Sequence, residues 1–275
     1  MSICQVSKVE KWYPMSTQIS VGLHGKLPQQ ADFVTRHLPL SFTTGWDEWM
    51  QRGLQTSQEA LGNRWLEVYL TSPVWRFVFS SNIVDQQVWA GVMVPSVDKV
   101  GRYYPLVLAQ ALPGDALPTA PLLTSSDWFQ LLEALAIRAL QGSLQWPLPL
   151  AELEQELARL PPLQAPRSAA SGKWEAGRPL ALFQQQDLNP VHAYPYLLHE
   201  MLGQRYPAYS LWSSAGSERV SPVHLISGYL PSPQCYTSLL GGEWSQHGWS
   251  TPLDVISPLA FSLNTCNNTH DIQNE

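Results

Sequence analysis

Two short stretches concentrate residues able to do chemistry in a 275-residue chain of which only 14% is charged. In PSVDKVGRYYPL, residues 95–106, Asp98, Lys99 and Arg102 crowd around Gly101, and Tyr103 and Tyr104 follow. In GLHGKLP, residues 22–28, His24 and Lys26 stand beside glycines, with Asp32 a few residues on, and one further charge, Arg76, interrupts the aromatic run WRFVF. Gly101 can take the positive φ of a tight return between two strands. Asp98 can then accept hydrogen bonds from turn amides, or pair with Lys99 or Arg102. An exposed pair of that kind contributes only ~0–1 kcal/mol, which does not account for three charges in one turn. Partly buried beside Arg76 or Asp32, the same charges become a polar node that fixes sheet geometry. Charged networks of this sort are more often architectural than functional. The reading is therefore a structural hairpin node whose exposed members double as a docking edge.

Other chemistries fare worse. A Walker A loop needs Gly, four residues, then Gly-Lys and a magnesium-binding hydroxyl. Here Ser20 stands at the first glycine and Leu27 at the hydroxyl, so Gly22 and Gly25 read as a bend at a strand end, with Pro28 fixing the exit. The seven histidines are scattered, and His192 and His199 are too far apart for an HExxH zinc pair. No GxSxG elbow is present, and Ser96 carries no mark of an activated nucleophile. A Ser/His/acid site assembled from distant residues is the remaining enzymatic alternative, because triads are recognised by geometry. Neither a metal nor a cofactor is expected.

The net charge of −6, with no Lys/Arg cluster, removes the counterion-release contribution that dominates nucleic-acid binding. Cys4, Cys235 and Cys266 are odd in number and widely spaced, which suits a reducing compartment rather than a disulfide framework. Lys8, Glu10, Lys11 and Pro14 leave no export signal at the start, and no segment approaches the ~18 apolar residues of a membrane span. A cytoplasmic location without direct membrane insertion follows as an expectation. Most of the twelve tryptophans are expected in the core, and any on the surface would anchor an interface.

These residues need a frame. Strands are predicted at Ile19–Leu23, Trp75–Phe79, Val88–Val94, Tyr103–Leu112, Tyr209–Ser213 and Val223–Leu230. In the second, Trp75, Phe77 and Phe79 share one face while Arg76 and Val78 take the other. The third and fourth are apolar at nearly every position, as strands covered on both sides are. Helices are predicted from Phe42 to Leu61 with Ser41 as cap, from Asp127 to Gln141 with Ser125 or Ser126 as cap, along Leu150–Leu160, and near Tyr196–Leu202. The first buries Trp46, Trp49, Met50, Leu54 and Leu61 and turns Asp47 outward. The second buries Trp128, Leu131, Leu132, Leu135, Ala139 and Leu140.

The fold class is α+β, a central, largely antiparallel β-sheet sandwiched by helices. Residues 1–14 read as an N-terminal extension without order, 15–260 as one domain with a loop or linker near 161–179, and 261–275 as a frayed tail.

In order along the chain, GLHGKLPQQADFVTRHLP, WDEWMQRGLQTSQEALG, WLEVYLTSPVWRF, AGVMVPSVDKVGRYYPL, YSLWSSAG and ISGYLP closely resemble the TagF (also called ImpM) family of type VI secretion accessory proteins. The likeness runs over about residues 18–240, and PSVDKVGRYYPL is its most specific part. One departure is Ala31, where the family usually has glycine before the Asp-Phe pair. The resemblance implies a longin-like fold and a cytoplasmic, non-enzymatic regulator that represses type VI secretion after translation by binding the forkhead-associated scaffold protein of the apparatus. Recruitment to the inner-membrane-associated apparatus is a further implication. A longin-type adaptor for another protein partner is the alternative within the same fold.

Overall fold

In this computed structural model the described residues are 20–141, 148–167 and 190–254, together with 174, 178, 179 and 181. The expected N-terminal extension, the C-terminal tail and most of the 168–179 stretch lie outside them. Period-two alternation builds the sheet. In strands β3 (Trp75–Phe79), β4 (Val88–Val94) and β5 (Leu106–Leu112), consecutive side chains enter two different cores. Trp75, Phe77, Phe79, Trp89, Met93 and Val107 face one way. Val78, Val88, Ala90, Val92, Leu106 and Leu108 face the other.

These three strands form an antiparallel meander, and the sheet grows outward from it. Strands β1 (Gly22–Gly25) and β2 (Val34–Arg36) add beyond β5, while β6 (Tyr209–Ser214) and β7 (Val223–Gly228) add beyond β3. The resulting seven-stranded sheet, in the order β2-β1-β5-β4-β3-β6-β7, is antiparallel at every pairing. The sequence places the first strand too early, at Ile19–Leu23, and starts β5 at Tyr103. Tyr103 instead makes an isolated bridge to Val97, and the strand proper begins after Pro105.

Helices cover both faces, as the doubly apolar strands require. On the aromatic side lie α1 (Leu40–Leu61), α2 (Trp65–Leu70) and a late helix, α7 (Pro233–Gly241), which packs against α1. Phe42, Trp46, Trp49, Tyr69 and Tyr236 meet Phe77, Trp89 and Trp212 there. Each fully buried ring of this kind contributes about 1.5–3 kcal/mol relative to exposure. Two indoles also clamp the neighbourhood of α7: Trp75 Nε1 donates to the Leu239 carbonyl at 2.9 Å and Trp49 Nε1 to that of Pro231 at 2.7 Å. The aliphatic side is covered by α4 (Ser126–Gln141) and α5 (Leu150–Arg159), through Phe129, Leu132, Leu135, Leu153 and Leu157. A short α3 (Pro121–Thr124) and α6 (Pro190–Arg205) complete the α-helices among the described residues.

Several local expectations are corrected. Helix α1 begins at Leu40 with Pro39 in the N-cap position, so Ser41 is already inside the helix and its hydroxyl donates to Asp85 instead. Leu131 is exposed, because α4 packs through the stripe Trp128, Leu132, Leu135 and Ala139, which turns Leu131 aside. Trp46 and Trp128 are buried as expected, yet their indole N–H groups have no partner among the described residues.

Candidate functional site

The two chemically rich stretches meet at one end of the sheet. Gly25 ends β1 at φ +132°, and a Cβ there would come within 2.2 Å of the Pro105 carbonyl, so only glycine lets the two chains pass this closely. That passage sets Lys26 beneath the 95–105 turn. Lys26 Nζ donates to Asp98 Oδ2 at 2.6 Å, and the two side chains are only 5% and 0% exposed. Arg102 Nε donates to the same oxygen at 2.7 Å. Asp98 Oδ1 accepts the backbone N–H groups of Val100 at 3.0 Å and Arg102 at 2.8 Å. Burial by itself would raise the Asp98 carboxyl, but the hydrogen bonds from Lys26, Arg102 and the turn amides hold it well below the usual carboxylate range.

Asp98 thus pairs with Arg102, one of the two anticipated partners, and with Lys26, which its own turn gave no reason to expect. Lys99 points to solvent at the tip, and only its backbone N–H is engaged, donating to the Gln30 carbonyl at 3.0 Å. Arg76 does not belong to the node. It projects from the opposite face of the sheet, where Nε and Nη2 each donate to Glu133 of α4 at 2.7 Å. The alternation that buries Trp75 and Phe77 on one side sends Arg76 to the other.

The loop over 28–33 lies against this node. Arg102 Nη2 donates to the Ala31 carbonyl, and Asp32, 95% exposed, lies 3.6 Å from the same nitrogen. Phe33 is half exposed, yet its ring is held. It stacks on His24 at 5.8 Å, meets Tyr104 edge-on at 4.7 Å, and has Lys26 Nζ 5.1 Å from its centroid. Tyr103 packs edge-on against both Trp65 and Tyr69, whose rings stack on each other.

Beside the ring runs a second polar chain. His24 Nε2 reaches Asp47 Oδ1 at 2.7 Å, the Tyr104 hydroxyl donates to that same oxygen, and His24 Nδ1 meets the Thr35 hydroxyl at 2.7 Å. Burial favours the neutral form of Asp47, but the bonds from His24 and Tyr104 prevail and its carboxyl is lowered. Burial, then Asp47, push the Tyr104 phenol far up, so it stays protonated and donates. Sequence reasoning turned Asp47 outward. It flanks the stripe of Trp46 and Met50, and that flanking position was the available signal. Tyr69 and Ser96 were also missed as site residues. The Tyr69 hydroxyl bridges the Ser96 carbonyl and N–H, and the Ser96 hydroxyl donates to the Lys26 carbonyl, so Ser96 braces the node.

Two constellations bear on the enzymatic alternative. Thr35, His24 and Asp47 stand in nucleophile, base and acid order, although Thr35 is also directly opposite His24 in the β1–β2 ladder, which is enough to bring them together. At the other end of the sheet, a cleft of about 320 Å³ is lined by Ser80, Asp115 and His199 among others. There His199 bonds to the Tyr209 hydroxyl at 2.7 Å and Asp115 pairs with Arg167 at 3.7 Å, which leaves the serine unlinked to either. Among the described residues no group of three His, Cys, Asp or Glu side chains could hold a metal, and no helix is long and apolar enough to cross a membrane.

The frame that holds this site recurs elsewhere. A profile described as the TagF N-terminal domain, type VI secretion system-associated, matches residues 22–160. A crystal structure of PA0076 from Pseudomonas aeruginosa PAO1, at 2.05 Å resolution, superposes with a TM-score of 0.69 and 32% sequence identity, covering 87% of this chain and all of that one. The chain belongs to the TagF family. Among curated proteins none matches it. Membership in TagF associates the chain with type VI secretion. The matched segment contains the whole node, from Gly25 and Lys26 through the 28–33 loop to Asp98, Arg102 and Tyr104.

Proposed function

We propose that this TagF chain represses type VI secretion after translation, in the cytoplasm, by stoichiometric binding to the forkhead-associated scaffold of the apparatus and without turnover. The family resemblance supports both the partner and the repression. The observation that carries the binding mode is Phe33, a half-exposed aromatic ring fixed by His24 and Tyr104 on the loop that the Arg102 guanidinium ties down at the Ala31 carbonyl. Rigid aromatic and arginine side chains on an ordered loop are what hot spots are made of, because little freedom is lost when a partner docks. A face of standard size buries roughly 800 Å² per partner, and the 28–33 loop with the 98–104 turn forms its centre.

Titrating the amount of this protein against secretion tests the reading. Repression should grow with its ratio to scaffold and be relieved by extra scaffold. Complete silencing by a trace amount that added scaffold does not relieve would remove stoichiometric occupancy. The Thr35–His24–Asp47 line favours one second reading, a hydrolase. Fluorophosphonate labelling of Thr35 that is lost in His24→Ala would establish that reading, and an unlabelled Thr35 would end it.

A further inference from the structure

Asp32 is held only by a long ion pair to Arg102, while its neighbours in the loop are tied down by hydrogen bonds and ring contacts. Gln30 donates its N–H to the Leu27 carbonyl at 3.0 Å and accepts from Lys99 at 3.0 Å. The Ala31 carbonyl is held by Arg102, and the Phe33 ring by His24 and Tyr104. The backbone carrying Asp32 is therefore fixed on both sides, yet the side chain is 95% exposed and its nearest cation, Arg102 Nη2, is 3.6 Å away. That guanidinium already serves Asp98 through Nε and Ala31 through Nη2. An exposed pair at such a distance contributes next to nothing to the fold. A carboxylate on a rigid stalk, beside a rigid and half-exposed ring, has its ordering cost met before any partner arrives.

We infer that Asp32 is the docking carboxylate of this face, and that the group it receives is a basic side chain of the protein partner, lying against the exposed part of Phe33 while it pairs with Asp32. The inference deepens the binding role proposed above and rests on that reading of the face. A guanidinium suits the place best, because it pairs with a carboxylate through two parallel N–H donors and stacks on an aromatic ring. The chain's net charge of −6 also draws a basic partner from a distance. Lys99 and Arg102 stand nearby and define the competing possibility, in which the partner brings an anion and Asp32 only obstructs it.

Two measurements separate these outcomes. Capture of purified scaffold is compared among the wild type, Asp32→Asn, Asp32→Glu and Asp32→Lys at low and high salt. Asp32→Asn should weaken capture by about ten-fold at low salt, Asp32→Lys should abolish it, and Asp32→Glu should stay within a few-fold of wild type. All should share one melting temperature, since the side chain is exposed. Capture by Asp32→Asn that equals or exceeds wild type overturns the inference. The second measurement needs no scaffold: the protein is titrated with Nα-acetyl-arginine amide and the Asp32 carboxylate and Phe33 ring signals are followed by NMR. Both signals should shift in the wild type and stay still in Asp32→Asn. An absence of shift, or an equal response to acetate, also overturns it. A wild type that answers the arginine probe but fails to capture scaffold would instead sink the proposed function and leave this contact standing.

Discussion

The Asp98 carboxylate receives three of its four hydrogen bonds from its own turn and the fourth from Lys26, 72 residues earlier. The local half was legible in DKVGR, where spacing alone brings Arg102 within reach. The distant half was not, because it depends on β1 lying beside β5, which no local pattern encodes. Arg102→Ala should therefore lower the melting temperature clearly while Lys99→Ala leaves it within about a degree, as surface substitutions do. Equal small shifts would show the node to be solvated. Acid should act on the same residue. The folded Asp98 carboxyl lies below its unfolded value, so the unfolded chain binds the extra proton, and the stability it contributes is complete well above about pH 4 and lost as pH falls below it. The gap in melting temperature between wild type and Asp98→Asn should accordingly shrink between about pH 7 and about pH 3. A gap that stays constant would mean the carboxyl is not held by charge.

Among the elements, those with a clear period or an unbroken apolar run of strand length, such as β4, were readable, and β2 and α7 were not. β3, α1, α4 and α5 announce themselves through alternating or helical apolar spacing. β2 has only three residues, too few to show a period, and α7 is buried almost all round, so it lacks the polar face that marks a surface helix. The α1–α7 contact nonetheless shapes the aromatic core. A Cβ on Gly53 of α1 would lie 2.7 Å from the fully buried Tyr236 ring. Gly53→Ala gains up to about 1 kcal/mol of helix propensity but overpacks a closed core at a cost of about 1–3 kcal/mol. The expected result is a net fall in melting temperature, relieved when Tyr236→Leu is added. A rise on Gly53→Ala alone would show that α7 can move aside.

At the scale of the whole chain, the matched segment 22–160 is not a self-sufficient body. It contains β1–β5 and α1–α5, but Trp212, Leu225, Tyr236 and Leu239, which close the aromatic face, come later. Cut at residue 160, β3 would become an exposed edge strand bearing Trp75, Phe77 and Phe79. The fragment 22–160 should therefore aggregate or remain unfolded, and a cooperative melt from it would refute this. The two-faced apolar strands made the layered architecture legible, whereas the strand order, set by which crossover returns to which edge, was not. The place of β6 beside β3 also bears on how the protein is made. β3 leaves the ribosome about half a chain length before its partner, an interval on the order of ten seconds at ordinary rates of synthesis. Throughout that wait the nascent chain carries an unpaired aromatic strand, and its yield in the cell should depend on what shields that strand until β6 emerges.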